Sequence, residues 1–189
     1  MKLNLGCGKQ RLDGWINIDR DPTVADFCCD LDWAGLRLPY ADNSVEQFFL
    51  SHVLEHLNYP LFCMQELWRL ASPNATLEIR TPHGASDDAW EDQTHVRPYF
   101  PKSFLAFGQP YYWRSGEVGY HGDWKIAEIQ LLVDPQLVES PGENLKSLLM
   151  IRNWCIEMRA LLSAVKPARP QSRELMEEVH CLLLPCHVE

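Results

Sequence analysis

The sequence predicts an open α/β fold with a mostly parallel sheet, and three observations carry that expectation. Leu3 and Leu5 begin a short apolar run that Gly6 and Gly8 interrupt, so a strand ends where backbone can bend sharply and approach a ligand. Trp15-Ile16-Asn17-Ile18-Asp19 repeats the design as a second strand that ends in a carboxylate. A helix opening at Pro60, with Leu61, Met64, Leu67, Trp68 and Leu70-Ala71 at helical spacing, lies between two strand-like runs at 45–50 and 76–81. Ligands of open α/β sheets sit outside the carboxyl ends of the strands. Glycines at the first strand end and an acid at the second therefore point to a nucleoside-containing ligand, with Asp19 on ribose hydroxyls.

Two common nucleotide motifs do not fit. The dinucleotide fingerprint needs a third glycine where this chain has Arg11, and its acid lies further from the glycines, at ~20 residues. No Gly-Lys-Ser/Thr follows the glycines, which excludes a P-loop. The segments Leu3-Asn4-Leu5-Gly6-Cys7-Gly8, Gly14-Trp15-Ile16-Asn17-Ile18-Asp19, Leu38-Pro39-Tyr40-Ala41-Asp42-Asn43-Ser44-Val45 and Ser51-His52-Val53-Leu54-Glu55-His56-Leu57 resemble class I S-adenosylmethionine-dependent methyltransferases, in that family's order and spacing. The resemblance runs on through Glu66-Leu67-Trp68-Arg69-Leu70 and Leu77-Glu78-Ile79-Arg80-Thr81-Pro82-His83, covering about the first half of the chain. It implies a Rossmann-like methyltransferase sheet, mostly parallel with an antiparallel final strand and flanked by helices, and S-adenosylmethionine as cofactor.

Composition bounds the rest. A chain of 189 residues is long enough for one domain with a proper core, and 46% hydrophobic with 23% charged residues argues against disorder. A formal net charge of −9 argues against a nucleic-acid partner, because phosphate backbones are gripped by basic patches. No apolar run is long enough to span a bilayer, and the first strand begins at residue 2, so neither a membrane partner nor a signal peptide is expected. Seven cysteines lack the dense, even pattern of a secreted scaffold, so a cytoplasmic location is expected.

Taken in order, residues 9–14 are too short for the helix that crosses between parallel strands, so the first crossover is a single turn or missing. A third acid-ended strand is read at 24–31; the resemblance places Asp30 on the adenine amino group and Leu31 against the ring. Residues 38–44 form a turn cluster leading into the buried strand at 45–50, with Ser51 and His52 at its carboxyl end. Pro73-Asn74 stops the helix where the family has Pro-Gly-Gly. The single domain then carries an aromatic-rich insertion at about 84–124 and a strand at 125–133. A helical excursion follows at about 143–166, with Leu148, Ile151, Cys155, Met158, Leu162 and Val165 on one stripe, before a last strand at 179–184. That stripe packs on its own sheet by default; a homodimer contact is the alternative.

The expected cofactor residues are Leu5, Gly6, Cys7, Gly8, Asp19, Asp30, Leu31, Ser51 and His52. Methyl transfer asks chiefly for placement and exclusion of water, and for an oxygen or nitrogen acceptor a histidine is the natural base. His95 is the first candidate because it falls in the aromatic segment that should cover the acceptor; His52 is the second. His83, His95 and Arg97 are expected on the substrate side, Arg97 as a partner for an anionic group. His52-Val53-Leu54-Glu55-His56 also matches the His-x-x-Glu-His zinc pattern. It lies where a strand is ending, without an established helix or a third ligand, so no metal is expected and His56 reads as a structural histidine. The function expected is methyl transfer to a small-molecule acceptor, a sugar or other hydroxylated metabolite among the options. The alternative is a non-catalytic cofactor-binding or regulatory domain.

Overall fold

The computed structural model describes residues 1–109, 119–135, 152–172, 174 and 178–186. Among these, eight strands form one sheet in the order β3-β2-β1-β4-β5-β7-β6-β8. They are β1 (Lys2–Leu5), β2 (Ile16–Asp19), β3 (Phe27–Cys28), β4 (Val45–Ser51), β5 (Ala71–Pro82), β6 (Trp124–Val133), β7 (Cys155–Ala164) and β8 (Cys181–Pro185). β1 to β5 are mutually parallel, β7 runs antiparallel to both β5 and β6, and β8 is parallel to β6. One face of the inner strands is apolar, with Leu3, Leu5 and Leu50 inaccessible to solvent, while the opposite face carries the part-exposed Gln47, Glu78 and Arg80.

Helix α1 (Pro60–Leu70) begins with proline at its first position, where the missing N–H costs nothing. Its inward face carries Cys63, Met64, Leu67 and Leu70, all fully buried. Two indoles fasten it to the far strands: Trp124 Nε1 donates to Met64 O at 3.1 Å and Trp68 Nε1 to Val165 O at 3.2 Å. Glu66, buried in the same helix, accepts the Leu38 N–H at 2.7 Å and pairs with Arg69, which anchors the turn that precedes β4.

The connection from β1 to β2 contains no helix. Asn4 and Asn17, both buried, replace it. Asn4 Nδ2 donates to Gln10 O at 2.8 Å and to Asn17 Oδ1 at 2.9 Å, and Leu12 N–H donates to the same Asn17 oxygen at 2.8 Å. Asp26 closes the network by accepting from the Asn17 backbone and side-chain amides, both at 2.9 Å. These bonds and the adjoining Arg11 guanidinium hold the Asp26 carboxyl down at about 2, the Arg11 bond being the largest cause.

Two expectations are corrected. Residues 155–164 form the antiparallel strand β7, not a helix, and residues 143–151 of the expected excursion lie outside the described residues. Of the expected stripe, Cys155, Met158 and Leu162 are buried on β7, between β5 and β6, while Leu148 and Ile151 lie outside the described residues. The antiparallel strand is also not the last one: β8 follows, parallel, at the sheet edge. The third strand shrinks to Phe27–Cys28, since Asp26 is spent on Asn17 and Asp30 on a turn.

Candidate cofactor and acceptor site

A cavity of about 460 Å³ opens at the carboxyl ends of β1, β2, β3 and β4, lined among others by Gly6, Asp19, Asp30, Leu31, His52 and His56. That volume falls in the range of small-molecule sites, roughly 300–1,000 Å³. Gly6 has φ +63°, and a Cβ there would meet Val53 Cγ2 at 2.4 Å. Glycine is needed at this position to let the strand turn beneath Val53, so a larger side chain would strain the loop before reaching the ligand. Gly8, at φ +48°, faces open space, with nothing within 4 Å of where a Cβ would stand.

The loop and the acid are built as one unit. Gly8 N–H donates to Asp19 Oδ2 at 2.8 Å, Asp21 N–H to Asp19 Oδ1 at 3.0 Å, and Cys7 N–H to Ile18 O at 3.1 Å. A carboxylate has about four acceptor positions, so Asp19 keeps capacity for hydroxyls in the cavity. Asp30 Oδ1 accepts the Asp32 N–H at 2.9 Å, a turn that puts the buried Leu31 against the cavity. Asp32 in turn accepts from Tyr59 N–H at 2.9 Å and Asn58 Nδ2 at 2.6 Å. The cavity thus carries carboxylates at Asp19, Asp30 and Asp32, which suit a cationic ligand.

The acids, the apolar Leu31 and the open space at Gly8 fit an adenosyl sulfonium. Asp19 would hold its ribose, Asp30 and Leu31 its base. Of the other expected cofactor residues, Leu5 lies fully buried in the core beneath the loop, and Cys7 is buried with Sγ turned toward Val24 O at 3.8 Å. Ser51 ends β4 but is not among the lining residues.

His52 stands at the turn out of β4 with φ 54°, a left-handed conformation that costs a non-glycine residue about 1–2 kcal/mol. It is held there by a backbone bond to Arg80 O at 2.9 Å and by two carboxylates. Its Nε2 lies 3.1 Å from Glu157 Oε2 and its Nδ1 3.4 Å from Glu55 Oε1. The bond to Glu157, then the neighbouring Glu55 carboxylate, raises its pKa to about 9. His52 is therefore an imidazolium at neutral pH, already carrying the proton a general base would have to take.

The substrate-side residues divide. His83 is buried off the cavity, its Nδ1 accepting the Ala85 N–H at 3.1 Å and its ring edge-on to Phe100 and Trp154. Burial alone pushes its pKa down to about 4, so it is a neutral packing residue that joins the end of β5 to the start of β7. Arg97 reaches the rim, donating to Asn58 O at 3.2 Å. His95 is buried behind His56, their rings 4.7 Å apart, and touches the cavity only through that ring. Val96 N–H bonds to Glu55 O at 2.8 Å, which is what folds this loop back over the end of β4. Sequence reasoning did not pick out Asp32, Val53, Asn58, Thr94 and Val96 as lining residues. Asp32, Val53, Thr94 and Val96 each adjoin a residue the sequence singled out, Leu31, His52 or His95.

Residues 3–79 match the model of the methyltransferase domain family. No curated protein matches the sequence. Among solved structures, a SAM-dependent methyltransferase from Archaeoglobus fulgidus is 14% identical, with 86% of this chain and 85% of that one covered and a TM-score of 0.56. An S-adenosylmethionine-dependent methyltransferase from Mesorhizobium loti is 14% identical over 86% and 89%, at 0.52. The [4+2]-cyclase SpnF is 13% identical over 87% and 74%, at 0.55. Residues 3–79 thus carry the methyltransferase-domain pattern, and the chain has the class I, Rossmann-like fold of S-adenosylmethionine-dependent methyltransferases.

Proposed function

We propose that the protein binds S-adenosylmethionine and transfers its methyl group to an oxygen or nitrogen of a small-molecule acceptor. The observation that carries this reading is the cavity at the ends of four parallel strands, where Gly6, Asp19, Asp30 and Leu31 converge. When bound, the cofactor supplies an activated methyl on a sulfonium. The chain's own task is to orient donor and acceptor in line and to exclude water. Asp19 and the Gly6–Gly8 loop hold one end, while Thr94, Val96 and His56 form the wall from which an acceptor approaches. His52, protonated, fixes Glu55 and Glu157 around the turn out of β4. Of the remaining histidines on the acceptor side, His56 faces the acceptor, and His95 packs behind it. Arg97 at the rim would meet an anionic group. A net charge of −9 favours a small molecule over nucleic acid, and seven cysteines without a disulfide suit the cytoplasm. No helix of the described residues is long and apolar enough to cross a membrane.

A non-catalytic or differently reacting domain is the second reading, favoured by one observation: the same fold occurs in a cyclase. Radiolabelled S-adenosylmethionine incubated with the protein and fractionated metabolite extracts separates the two. Label in a small-molecule fraction, dependent on Asp19, is the expected result. Cofactor binding without label transfer to any fraction would establish the second reading.

A further inference from the structure

Beside the acceptor wall lies a group of side chains that cofactor binding leaves unused. Glu55, His56 and His95 each offer a ligand atom, and these atoms lie within 4.8 Å of one another. Two of the three side chains are more than nine-tenths buried, Glu55 at 2% and His95 at 8% exposure. Among the described residues no hydrogen bond reaches either Glu55 oxygen, although His52 Nδ1 stands 3.4 Å from Oε1, and none reaches His95 Nδ1. Buried polar atoms left in this state are costly, about 1–3 kcal/mol each, unless something satisfies them.

Hydrogen bonding around the group determines which nitrogens are free. Thr94 Oγ1 donates to Asp92 Oδ1 at 2.6 Å, so it can only accept from His56 Nδ1, 2.9 Å away. His56 therefore carries its proton on Nδ1 and presents a bare Nε2. His95 Nε2 lies 3.8 Å from Asp92 Oδ2, which leaves Nδ1 as its open nitrogen. Asp92 thus orients His56 through Thr94 and stands near, without a direct hydrogen bond, the outer nitrogen of His95. Metal-binding histidines have this outer shell: the nitrogen away from the ion is directed to a carboxylate or other acceptor.

We infer that Glu55, His56 and His95 form a binding site for a divalent transition-metal ion at the floor of the acceptor side of the cavity. Two imidazoles and one carboxylate are a set suited to zinc, with manganese or iron as competitors. Ligand atoms around zinc stand about 2.0–2.2 Å from the ion, so the three side chains close inward slightly on binding. Three protein ligands leave a fourth position. His56 and Thr94 line the cavity, which places that position where an acceptor's oxygen can reach the ion. The inference rests on the acceptor reading above and narrows it to oxygen-bearing acceptors. It departs from the sequence expectation of no metal, and from the zinc motif too: His52 is held between Glu157 and Glu55, and the third ligand comes from residue 95.

The test is titration of chelator-treated, purified full-length protein with zinc chloride and, separately, manganese chloride, followed by calorimetry and metal analysis. One equivalent is expected, with affinity at least about tenfold weaker in His95→Ala and in Glu55→Gln. His95→Gln, closer in volume, serves if the alanine variant does not fold. Cobalt(II) added to the wild type should give the visible bands of nitrogen and oxygen coordination without a thiolate charge-transfer band. Absence of saturable binding, equal affinity in the folded variants, or a thiolate band would overturn the site. S-adenosylmethionine affinity measured on the same samples should survive His95→Ala, since that side chain, unlike Asp19 and Asp30, does not line the cavity. A wild type that binds the cofactor but no metal would count against the metal alone, whereas a wild type that binds no cofactor would count against the cavity's reading.

Discussion

Two of the crossings that feed the centre of the sheet are built from opposite materials. Between β4 and β5, α1 packs four fully buried apolar side chains and lies where helical spacing places it. Between β1 and β2, ten residues pass without a helix, held by Asn4, Asn17 and Asp26 through directional hydrogen bonds. The apolar crossing supports the fold as a whole. The polar one also positions the backbone on which Gly6, Gly8 and Asp19 depend, so stability and ligand affinity should respond differently when each is damaged.

The largest effect should come from the apolar crossing. Leu67→Ala leaves a cavity under the sheet and should lower unfolding free energy by about 2–5 kcal/mol in urea titrations, while the folded fraction binds cofactor with unchanged affinity. His83 gives an effect of similar size through pH. Its folded pKa of about 4 lies below the unfolded value of 6.5, so between those limits the unfolded chain binds the extra proton. The associated stability is fully present above 6.5 and is lost as pH falls toward 4, by roughly 3 kcal/mol. Urea midpoints at pH 7 and 4.5 should show this loss, and His83→Gln should reduce it.

Smaller in stability but sharper in function is the polar crossing. Asn17→Ala removes a buried hub and should cost about 1–3 kcal/mol. Unlike Leu67→Ala, it should also weaken cofactor binding in the folded protein, because the loop loses its tie to β2. Equal behaviour of the two variants in a binding titration would erase the contrast between the crossings. Arg11→Ala should have the least effect, since its pair with Asp26 is open to water and salt.

What the sequence reveals tracks how local the determinants are. β1, β2, β4, α1 and the core of β5 are readable because apolar spacing, glycines and Pro60 act over a few residues. β7 is not, and the reason lies in its spacing. Met158 and Leu162 are four apart, which satisfies a helical stripe and an alternating strand alike, while Ala160 and Ala164 complete the alternation only once the flanking strands are known. Helix-favouring Met, Arg, Ala and Leu are overruled by the hydrogen bonds of β5 and β6. Asp19, which lines the cavity, can be read from the end of β2, and Asp30 only from the turn two residues beyond β3. The meeting of His56 with His95 cannot, because it depends on a loop folded back by the Val96 to Glu55 bond, across about forty residues of chain.

The account turns on whether an adenosyl sulfonium occupies the ends of the first strands under the grip of Asp19. Calorimetric titration of the wild type and Asp19→Ala with S-adenosylmethionine, both verified as folded, tests this most directly. A dissociation constant of about micromolar order for the wild type, weakened at least about tenfold in the variant, is the predicted result. A wild type that takes up no cofactor, or a variant that binds as tightly, would contradict it.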